Sequence, residues 1–322
     1  MIPRTETEIL PLLLDPNGPR VTVIGGGHGQ AAALEAIQSY ASRISALVSV
    51  ADDGGSSGRL RGMGIPAPGD VRRCLLALTP EPTLWTELFA HRFRDGDVAD
   101  HSLGNLILAG LADILGDFET AVDTASRMMN ALGAVIPVTS IPVTLAALVA
   151  GEWVEGQSNV AKARGEIEAL RLEPSDVPVS ARALAAIAEA DQIVLGPGSL
   201  YTSLIAALLV PMLSDAVAAA TSQRVFVLNL VTQDGETLGA TGGQHLQALR
   251  SHAGLAGPGV VVAHDGPLEA PPGLTPVEVD DDEAAELGWR VVRSDVADET
   301  APWPAHDPIK LGTVLETLLP SS

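Results

Sequence analysis

The chain alternates between short runs of branched apolar residues and longer segments whose apolar positions recur every three or four residues. An apolar run at 20–24 is followed by an amphipathic segment at 30–40, and a second apolar run covers 44–50. Strands that are buried on both faces give continuous apolar runs, whereas a helix against a core gives the three-to-four spacing. This pattern predicts a βαβ unit with a right-handed crossover.

The same alternation returns in the second half of the chain. Strands are predicted at 192–195, 224–230, 260–263 and 290–292, and helices at 180–190, 199–209, 243–252 and 308–319. Between the halves, helical periodicity dominates and is followed by a hairpin-like stretch at 133–155. We therefore expect an α/β fold with a doubly wound, mostly parallel Rossmann-like sheet. The predicted organisation is an N-terminal arm at 1–16 and a single domain at 17–322 with a helical insertion at about 70–132.

Composition narrows the function classes. The 322 residues carry a formal net charge of −21, which argues against nucleic acid or an anionic membrane surface as a partner. No apolar run is long enough to span a bilayer, and the first residues do not resemble a signal peptide. Cys74 is the only cysteine, which excludes an intrachain disulfide and a zinc–cysteine cluster. A cytoplasmic protein without membrane insertion is expected.

A glycine-rich turn directly follows the first predicted strand. It contains Gly25, Gly26, Gly27, His28 and Gly29. Glycines let the backbone approach a ligand, and the N-terminus of the next helix attracts anions, so a phosphate site is predicted. The dinucleotide fingerprint is incomplete because Gln30 stands where its last glycine would be. A tight strand-to-helix turn without a ligand is the alternative.

The segment at 50–61 follows the second strand and adds charged and small residues. Asp52 and Asp53 could contact a ribose or hold a divalent cation, while Arg59 and, further along, Arg72 could meet a phosphate. Between them lie small residues that free the backbone or offer hydroxyl donors: Gly54, Gly55, Ser56 and Ser57. A flexible surface loop is the alternative. Asp70 is predicted as the N-cap of the following helix.

Other polar residues are predicted at the ends of elements. His101 and Asn105 lie at the start of a helix, and Asn229 lies within the predicted strand at 224–230. The turn after the strand at 192–195 provides Gly198, Ser199, Leu200, Tyr201 and Thr202. Because ligands of parallel sheets bind at the carboxyl ends of the strands, these turns are expected to converge on one cleft.

Several motifs, in order, resemble a known family. They include GGGHG, VADDGGSSGRLR, HSLGNLILAGL, GPGSLYTS, NLVTQDGET and HDPIKL, over residues 20–316. The sequence is similar to YvcK-type proteins, also called gluconeogenesis factors or UDP-sugar-binding proteins, which are relatives of 2-phospho-L-lactate transferase (CofD). The resemblance implies a cytoplasmic bacterial protein that binds a UDP-sugar such as UDP-N-acetylglucosamine. It also implies regulation that links carbon metabolism to peptidoglycan synthesis and cell shape, with no established catalytic activity.

The resemblance carries over to specific positions. It places in the nucleotide site the four glycines of the first turn, residues 52–57, Arg59, Asn105, Ser199, Leu200, Tyr201, Thr202 and Asn229. Four residues depart from the usual pattern: His28 replaces threonine, Arg73 asparagine, Ala240 tyrosine and Ala305 arginine. The last two substitutions bear on selectivity for the sugar or diphosphate.

Two enzymatic alternatives stay open. A CofD-like transferase of a phosphate-bearing group would use Asp52 and Asp53 to hold Mg²⁺ and arginines to neutralise the diphosphate. An NAD-binding enzyme would fit the βαβ unit and its acidic residue but is weakened by Gln30. The leading interpretation requires no catalytic residue, resident metal or cofactor. A homodimer and a cell-wall enzyme are the candidate protein partners.

Overall fold

The computed structural model describes residues 14–163 and 165–319, so most of the predicted N-terminal arm lies outside the described residues. Ten strands are numbered in chain order: β1 Arg20–Gly25, β2 Arg43–Val48, β3 Ala134–Pro137, β4 Thr144–Val149, β5 Glu152–Glu155, β6 Ile167–Glu173, β7 Gln192–Leu195, β8 Gln223–Val227, β9 Gly259–His264 and β10 Trp289–Ser294.

Thirteen α-helices are numbered in the same way. They are α1 Gly27–Ile37, α2 Gly55–Leu60, α3 Gly69–Ala77, α4 Leu84–Ala90, α5 Leu103–Leu115, α6 Phe118–Met129, α7 Gln157–Val160, α8 Ala181–Glu189, α9 Ala206–Leu208, α10 Leu213–Ala219, α11 Gly242–Ala253, α12 Asp281–Glu286 and α13 Pro308–Thr317. A 3₁₀ turn covers Arg61–Met63, and a π-helical turn covers Leu200–Ile205 ahead of α9.

Seven strands form one parallel sheet in the order β3-β2-β1-β7-β8-β9-β10. Strand order runs outward in one direction from β1 and in the other from β7, so the topological switch point lies between these two strands. The predicted doubly wound α/β fold is confirmed. Ligands of such sheets bind in the crevice outside the carboxyl ends of the strands at the switch point.

The strands are apolar because both faces of the sheet are covered. In β1 and β2, all residues after the first are buried. Helix boundaries follow capping chemistry: Asp117 and Ser180 each accept a hydrogen bond from the backbone N–H three residues on, and Thr241 forms a capping box with Gln244. Asp307 caps α13 ahead of Pro308, which occupies the first helical turn.

Helices α2 to α6 lie between β2 and β3, and α3 to α6 are called the helical insertion below. Residues 55–60, for which a flexible surface loop is the alternative, form the short helix α2. One local expectation was wrong. The N-cap position of α3 belongs to Pro68, and Asp70 lies in the first turn with its side chain buried. Its carboxylate faces the glycine turn of the sheet, where it accepts a hydrogen bond from the backbone N–H of Gly27.

A second sheet is antiparallel, with the order β5-β4-β6. The predicted hairpin is confirmed as β4–β5, which turns at Ala150 and Gly151, both with positive φ. Among the described residues, no single helix is long and apolar enough to cross a bilayer; the pair Leu200–Leu208 and Leu213–Ala219 meets the length and composition test only together and is bent by 81°.

Candidate functional site

A cavity of about 1030 Å³ opens at the switch point. Its walls come from both halves of the chain: the turn between β1 and α1, the turn after β7, the segment after β8, and two later loops near residues 272–274 and 303–306. This volume is at the upper end of the range that small-molecule sites occupy. The predicted convergence of the strand-end turns on a single cleft is therefore observed for β1, β7 and β8.

The two glycine turns pack directly against each other. A Cβ atom on Gly29 would overlap the carbonyl group of Pro197, and one on Gly198 would lie 3.2 Å from the carbonyl oxygen of Gly26. Gly27 has a φ of 69° and open space at its Cβ position. Gly29 is therefore required by the contact between the two halves, and Gly27 by its backbone conformation.

The N-terminus of α1 faces the cavity, and its N-cap residue has no side chain, although the carboxylate of Asp70 accepts the backbone N–H of Gly27 there. Gly26 occupies the N-cap position, and His28 and Gly29 line the cavity wall within the first helical turn. Eleven residues of helix lie behind this end, so its free N–H groups and dipole favour an anion. Burial and the nearby charges of Arg73 and Arg72 lower the pKa of His28. The imidazole is therefore biased toward its neutral form.

Asp70 and Arg73 form an ion pair beside this helix end. The Asp70 side chain is 6% exposed and the Arg73 side chain 30%, and both residues line the cavity. Burial raises the pKa of Asp70 to about 6, an effect that Arg73 opposes and Asp52 reinforces. Asp52 lines the same wall and accepts a hydrogen bond from the backbone N–H of Gly54. Two carboxyl groups and one guanidinium thus surround the predicted anion site.

The turn after β7 also begins a helical segment, but its N-terminus is already occupied. The carboxylate of Glu236 accepts hydrogen bonds from the backbone N–H groups of Tyr201 and Thr202 at 3.1 and 3.3 Å, and from the Thr202 hydroxyl at 2.6 Å. Burial raises the pKa of Glu236, while these bonds and one to Ser199 counter that effect. A phosphate cannot use these groups unless Glu236 leaves. The N-terminus of α1 is the other candidate anion site, and there the carboxylate of Asp70 accepts the backbone N–H of Gly27.

Asp53 and the following residues mostly support neighbouring elements. Asp53 accepts a hydrogen bond from the backbone N–H of Ser158 in the first turn of α7. The Ser56 hydroxyl bonds to the ring of His101 at 3.2 Å and accepts the backbone N–H of Ser102, which joins α2 to the start of α5. Arg59 donates to the carbonyl oxygen of Ala99 at 2.6 Å.

Arg72 and Asn105 form a buried pair inside the helical insertion. The Arg72 Nε donates to Asn105 Oδ1 at 3.0 Å, and its Nη1 donates to the carbonyl oxygen of Phe89 at 3.1 Å. Burial lowers the pKa of Arg72 to about 10, and the positive charge of Arg73 adds to this effect. This guanidinium therefore holds the insertion together at the back of the cavity wall.

The structure divides the sequence-predicted site residues into two groups. Those that line the cavity are Gly26, Gly27, His28, Gly29, Asp52, Gly198, Ser199 and Asn229. Those that do not line it are Gly25, Asp53, Gly54, Gly55, Ser56, Ser57, Arg59, Arg72, His101, Asn105, Leu200, Tyr201 and Thr202. Tyr201 instead lines an adjoining cavity of about 820 Å³, which shares Asp234, Glu236 and Leu238 with the first.

Sequence reasoning missed several wall residues. The sequence indicates Asp70 as a helix cap and Arg73 as a departure from the family pattern within an arginine-rich window, and it does not single out Ser203. Seven other missed residues come from the segment 230–238 after β8, and seven come from two loops, 272–274 and 303–306. The conspicuous signal there was Trp303, an aromatic residue in a polar, proline-rich stretch.

Gln30 explains why the dinucleotide fingerprint is incomplete. Its side chain is fully buried and donates to the carbonyl oxygens of Val23 and Leu47, at the ends of β1 and β2. The thiol of Cys74 donates to its Oε1. The last glycine of a dinucleotide fingerprint lets helix and strand pack closely. Here the carboxamide fills that space and ties α1 to the two strands.

Comparison with known proteins decides the family. The family model described as 2-phospho-L-lactate transferase CofD matches residues 21–297, which is most of the chain. The chain belongs to the CofD family. Among curated relatives of this CofD-family chain, the gluconeogenesis factor of Bacillus subtilis is 38% identical, over 94% of this chain and 98% of the relative. The putative gluconeogenesis factor of Nostoc sp. is 41% identical, over 97% of this chain and 72% of the relative.

A solved structure shares the whole fold. A crystal structure of a UPF0052-family protein from Bacillus halodurans superposes with a TM-score of 0.88 at 38% identity, covering 93% of this chain and 99% of that protein. The resemblance to YvcK-type gluconeogenesis factors is therefore confirmed. Of the four departures from the pattern of that family, His28, Arg73 and Ala305 line the main cavity, and Ala240 lines the adjoining one.

Proposed function

We propose that this CofD-family chain binds a UDP-sugar, with UDP-N-acetylglucosamine as the first candidate, in the cavity at the switch point. The observation that carries the proposal is the glycine-rich N-terminus of α1, which opens into a cavity of about 1030 Å³. The diphosphate would lie against Gly26 to Gly29, near Arg73. In this proposal the chain is a cytoplasmic regulator that links carbon metabolism to peptidoglycan synthesis and cell shape, in keeping with relatives named gluconeogenesis factor.

Charge in the cavity argues that a cation accompanies the diphosphate. Among the described residues that line it, Asp52, Asp70, Asp234 and Glu236 are acidic, and Arg73 is the one arginine or lysine. Glu236 is stabilised by the helical N–H groups it binds. Asp52 and Asp70 are close enough for one charge to raise the pKa of the other. We infer that Mg²⁺ or a proton on Asp70 must reduce this negative charge when the diphosphate binds.

The residues fit Mg²⁺ only in part. No group of three or more His, Cys, Asp or Glu side chains within 14–163 and 165–319 is arranged to hold a metal ion. Asp52 and Asp70 would hold Mg²⁺ together with phosphate oxygens of the ligand, which is how proteins commonly bind this ion. When bound, the ion would neutralise charge on the diphosphate. We therefore propose that Mg²⁺ strengthens ligand binding and plays no part in the fold of the unliganded chain.

Calorimetric titration tests this function. We expect binding of UDP-N-acetylglucosamine and UDP-glucose that strengthens in Mg²⁺ and exceeds binding of GDP and NAD. The GGGHG turn and the buried Gln30 side chain argue against NAD, whose fingerprint the chain does not complete. Preferential binding of NAD would overturn the proposal.

A second candidate is a transferase of a phosphate-bearing group. It is favoured by Asp52 and Asp70, which face the same cavity as the anion site and would place Mg²⁺ beside a diphosphate. The name of the matched family model points to the same class of reaction. Incubation with a guanylated phospho-acid and an alcohol acceptor would form a phosphodiester with the acceptor and release GMP, whereas incubation with GTP and a phospho-acid would join them through a diphosphate and release pyrophosphate. Tight nucleotide binding without either product would exclude this candidate.

A further inference from the structure

Part of the cavity wall differs chemically from the anion site. Its apolar residues include Leu238, Leu274, Pro304 and Trp303. Trp303 is 57% exposed and is the one Phe, Tyr or Trp among the described residues that line the cavity. A large apolar side chain held partly exposed in a concave site is typical of a ligand contact.

The loop that carries Trp303 is fixed at its base. Ala297 and His306 form an antiparallel bridge, and the backbone N–H of Asp298 donates to the carbonyl oxygen of Ala305 at 2.9 Å. The His306 ring is buried and bonds to the carbonyl oxygen of Leu228 at 3.2 Å, which ties the loop to the end of β8. Trp303 therefore projects from a loop whose two ends are held by backbone hydrogen bonds and by His306.

Gln233 adds a polar group to the cavity wall. Its backbone is held in a turn, where its N–H donates to the Thr237 hydroxyl at 3.0 Å. Its side-chain Oε1 is enclosed and has no hydrogen-bond partner among the described residues. A buried acceptor without a donor is costly, and rotation of the carboxamide toward the cavity would let a donor on a ligand satisfy it. A carboxamide presents an acceptor and a donor side by side, which complements the edge of a pyrimidine base.

We propose that Trp303 and Gln233 form a base subsite: the indole stacks on the face of the nucleobase, and the carboxamide bonds to the base edge. This inference rests on the proposed function, because it assumes that the diphosphate lies at the N-terminus of α1. It assigns the base to the part of the wall that carries Trp303 and Gln233. Stacking binds any planar base, while the edge contact with Gln233 favours a uracil N–H donor.

The stacking half of the proposal is tested with Trp303→Ala and Trp303→Phe. We expect Trp303→Ala to weaken UDP binding roughly 10-fold or more, because loss of a base–aromatic stacking contact changes affinity by about this factor. Trp303→Phe keeps an aromatic ring and should retain most of the affinity. Pyrophosphate, which has no base, should bind both variants as it binds the wild-type chain. Trp153→Ala is the matched control, since Trp153 is also exposed but contacts Arg171 in the antiparallel sheet.

Tryptophan fluorescence gives a second readout. UDP should change the emission of the wild-type chain and of Trp153→Phe, and the change should disappear in Trp303→Phe. For Gln233, substitution by methionine keeps the length and removes the polar edge. It should weaken UDP binding while leaving pyrophosphate binding unchanged.

The outcomes separate the two proposals. If the wild-type chain binds pyrophosphate but no nucleoside diphosphate, the proposed function fails and the base subsite with it. If the wild-type chain binds UDP and Trp303→Ala binds it equally well, the base subsite alone is overturned. An equal loss of UDP and pyrophosphate binding in Trp303→Ala would show damage to the whole cavity and would also overturn the base assignment.

Discussion

Gly29, in the first turn of α1, lies against Pro197, in the turn after β7, so closely that a Cβ atom on Gly29 would overlap the Pro197 carbonyl group. The two residues are 168 positions apart in the chain, and their strands are neighbours at the switch point. This contact fixes the distance between the two halves of the cavity wall. Gly29 is therefore needed for packing, whereas the backbone N–H groups at the N-terminus of α1 are the candidate donors to an anion.

Gly29→Ala should therefore destabilise the fold. The added methyl group meets backbone atoms, which cannot move aside as a flexible side chain would, and we expect a loss of about 1–3 kcal/mol. UDP-sugar affinity should fall as well, because the two turns must separate. Thermal unfolding and calorimetric titration measure the two effects.

Gly110→Ala is the matched control for this substitution. Gly110 lies within α5, and no atom lies within 4 Å of its Cβ position. Alanine at a helix interior is more favourable than glycine by about 0.5–1 kcal/mol. The control should be slightly more stable than the wild-type chain. Equal stability of Gly29→Ala and wild type would contradict the packing argument.

Asn229 holds the second turn in place. Its side chain accepts a hydrogen bond from the backbone N–H of Gly198 and donates one to the carbonyl oxygen of the same residue, both at 2.9 Å. Asn229→Ala removes both bonds, and we expect a loss of about 1–3 kcal/mol together with weaker ligand binding. Asn229→Asp should rescue little, because its carboxylate would face the Gly198 carbonyl oxygen.

Asn159→Ala provides the comparison for Asn229. Asn159 is exposed and makes one hydrogen bond from its side chain to the backbone, to the carbonyl oxygen of Glu155. Its loss should change stability by less than about 0.5 kcal/mol. Chemical denaturation of the two variants under identical conditions compares their free energies of unfolding. Equal values for both variants would show that the hydrogen bonds of Asn229 to the Gly198 turn do not stabilise the fold.

The sequence predicts the fold well because periodicity reports burial. The runs at 20–24 and 192–195 are apolar since both faces of the sheet are covered, and the pattern locates their strands within one or two residues. It also locates the glycine turn, because glycines that follow a buried strand indicate a close backbone approach. Pattern alone does not show that Gly29 meets Pro197, since that contact depends on which strands become neighbours.

The candidate site is harder to predict because its side chains point in directions that the sequence does not encode. Asp52 and Asp53 are adjacent, yet Asp52 faces the cavity and Asp53 caps α7. Glu236 was not predicted to bind the N–H groups of Tyr201 and Thr202, and this contact removes that helix end as an anion site. Both outcomes depend on elements distant in the chain.

Asp70 should make the free energy of unfolding depend on pH between its ordinary pKa of 3.8 and its pKa in the folded chain, about 6. Its pKa in the folded chain is about 6, above the ordinary value of 3.8, because burial disfavours its charge. The stabilising contribution of the neutral form is complete below pH 3.8 and is lost as pH rises through 6. At 1.36 kcal/mol for each pH unit, this interval corresponds to about 3 kcal/mol at most.

Asp70→Asn removes this dependence. The difference in unfolding free energy between wild type and Asp70→Asn should change between pH 4 and pH 6.5, with the wild type losing stability relative to the variant as pH rises. Comparing the two chains cancels exposed carboxyl groups such as Asp117 and Asp298, whose lowered pKa values act at lower pH. A constant difference across this range would show that Asp70 is charged throughout.

Arg73 and Arg59 should differ in their effect on ligand binding. Arg73 lines the cavity and pairs with Asp70, whereas Arg59 donates to the Ala99 carbonyl oxygen and pairs with Asp100 at 3.5 Å, with half of its side chain exposed. Arg73→Ala should weaken UDP-sugar binding about 10-fold or more, since a guanidinium near a diphosphate is lost and Asp70 remains. Arg59→Ala should leave the affinity within about 3-fold of wild type, because an exposed ion pair contributes about 1 kcal/mol or less.

Calorimetric titration of both variants with and without Mg²⁺ compares their affinities for the UDP-sugar. Mg²⁺ should restore part of the affinity of Arg73→Ala. A larger loss in Arg59→Ala than in Arg73→Ala would place the diphosphate at the 52–59 segment and away from the α1 end.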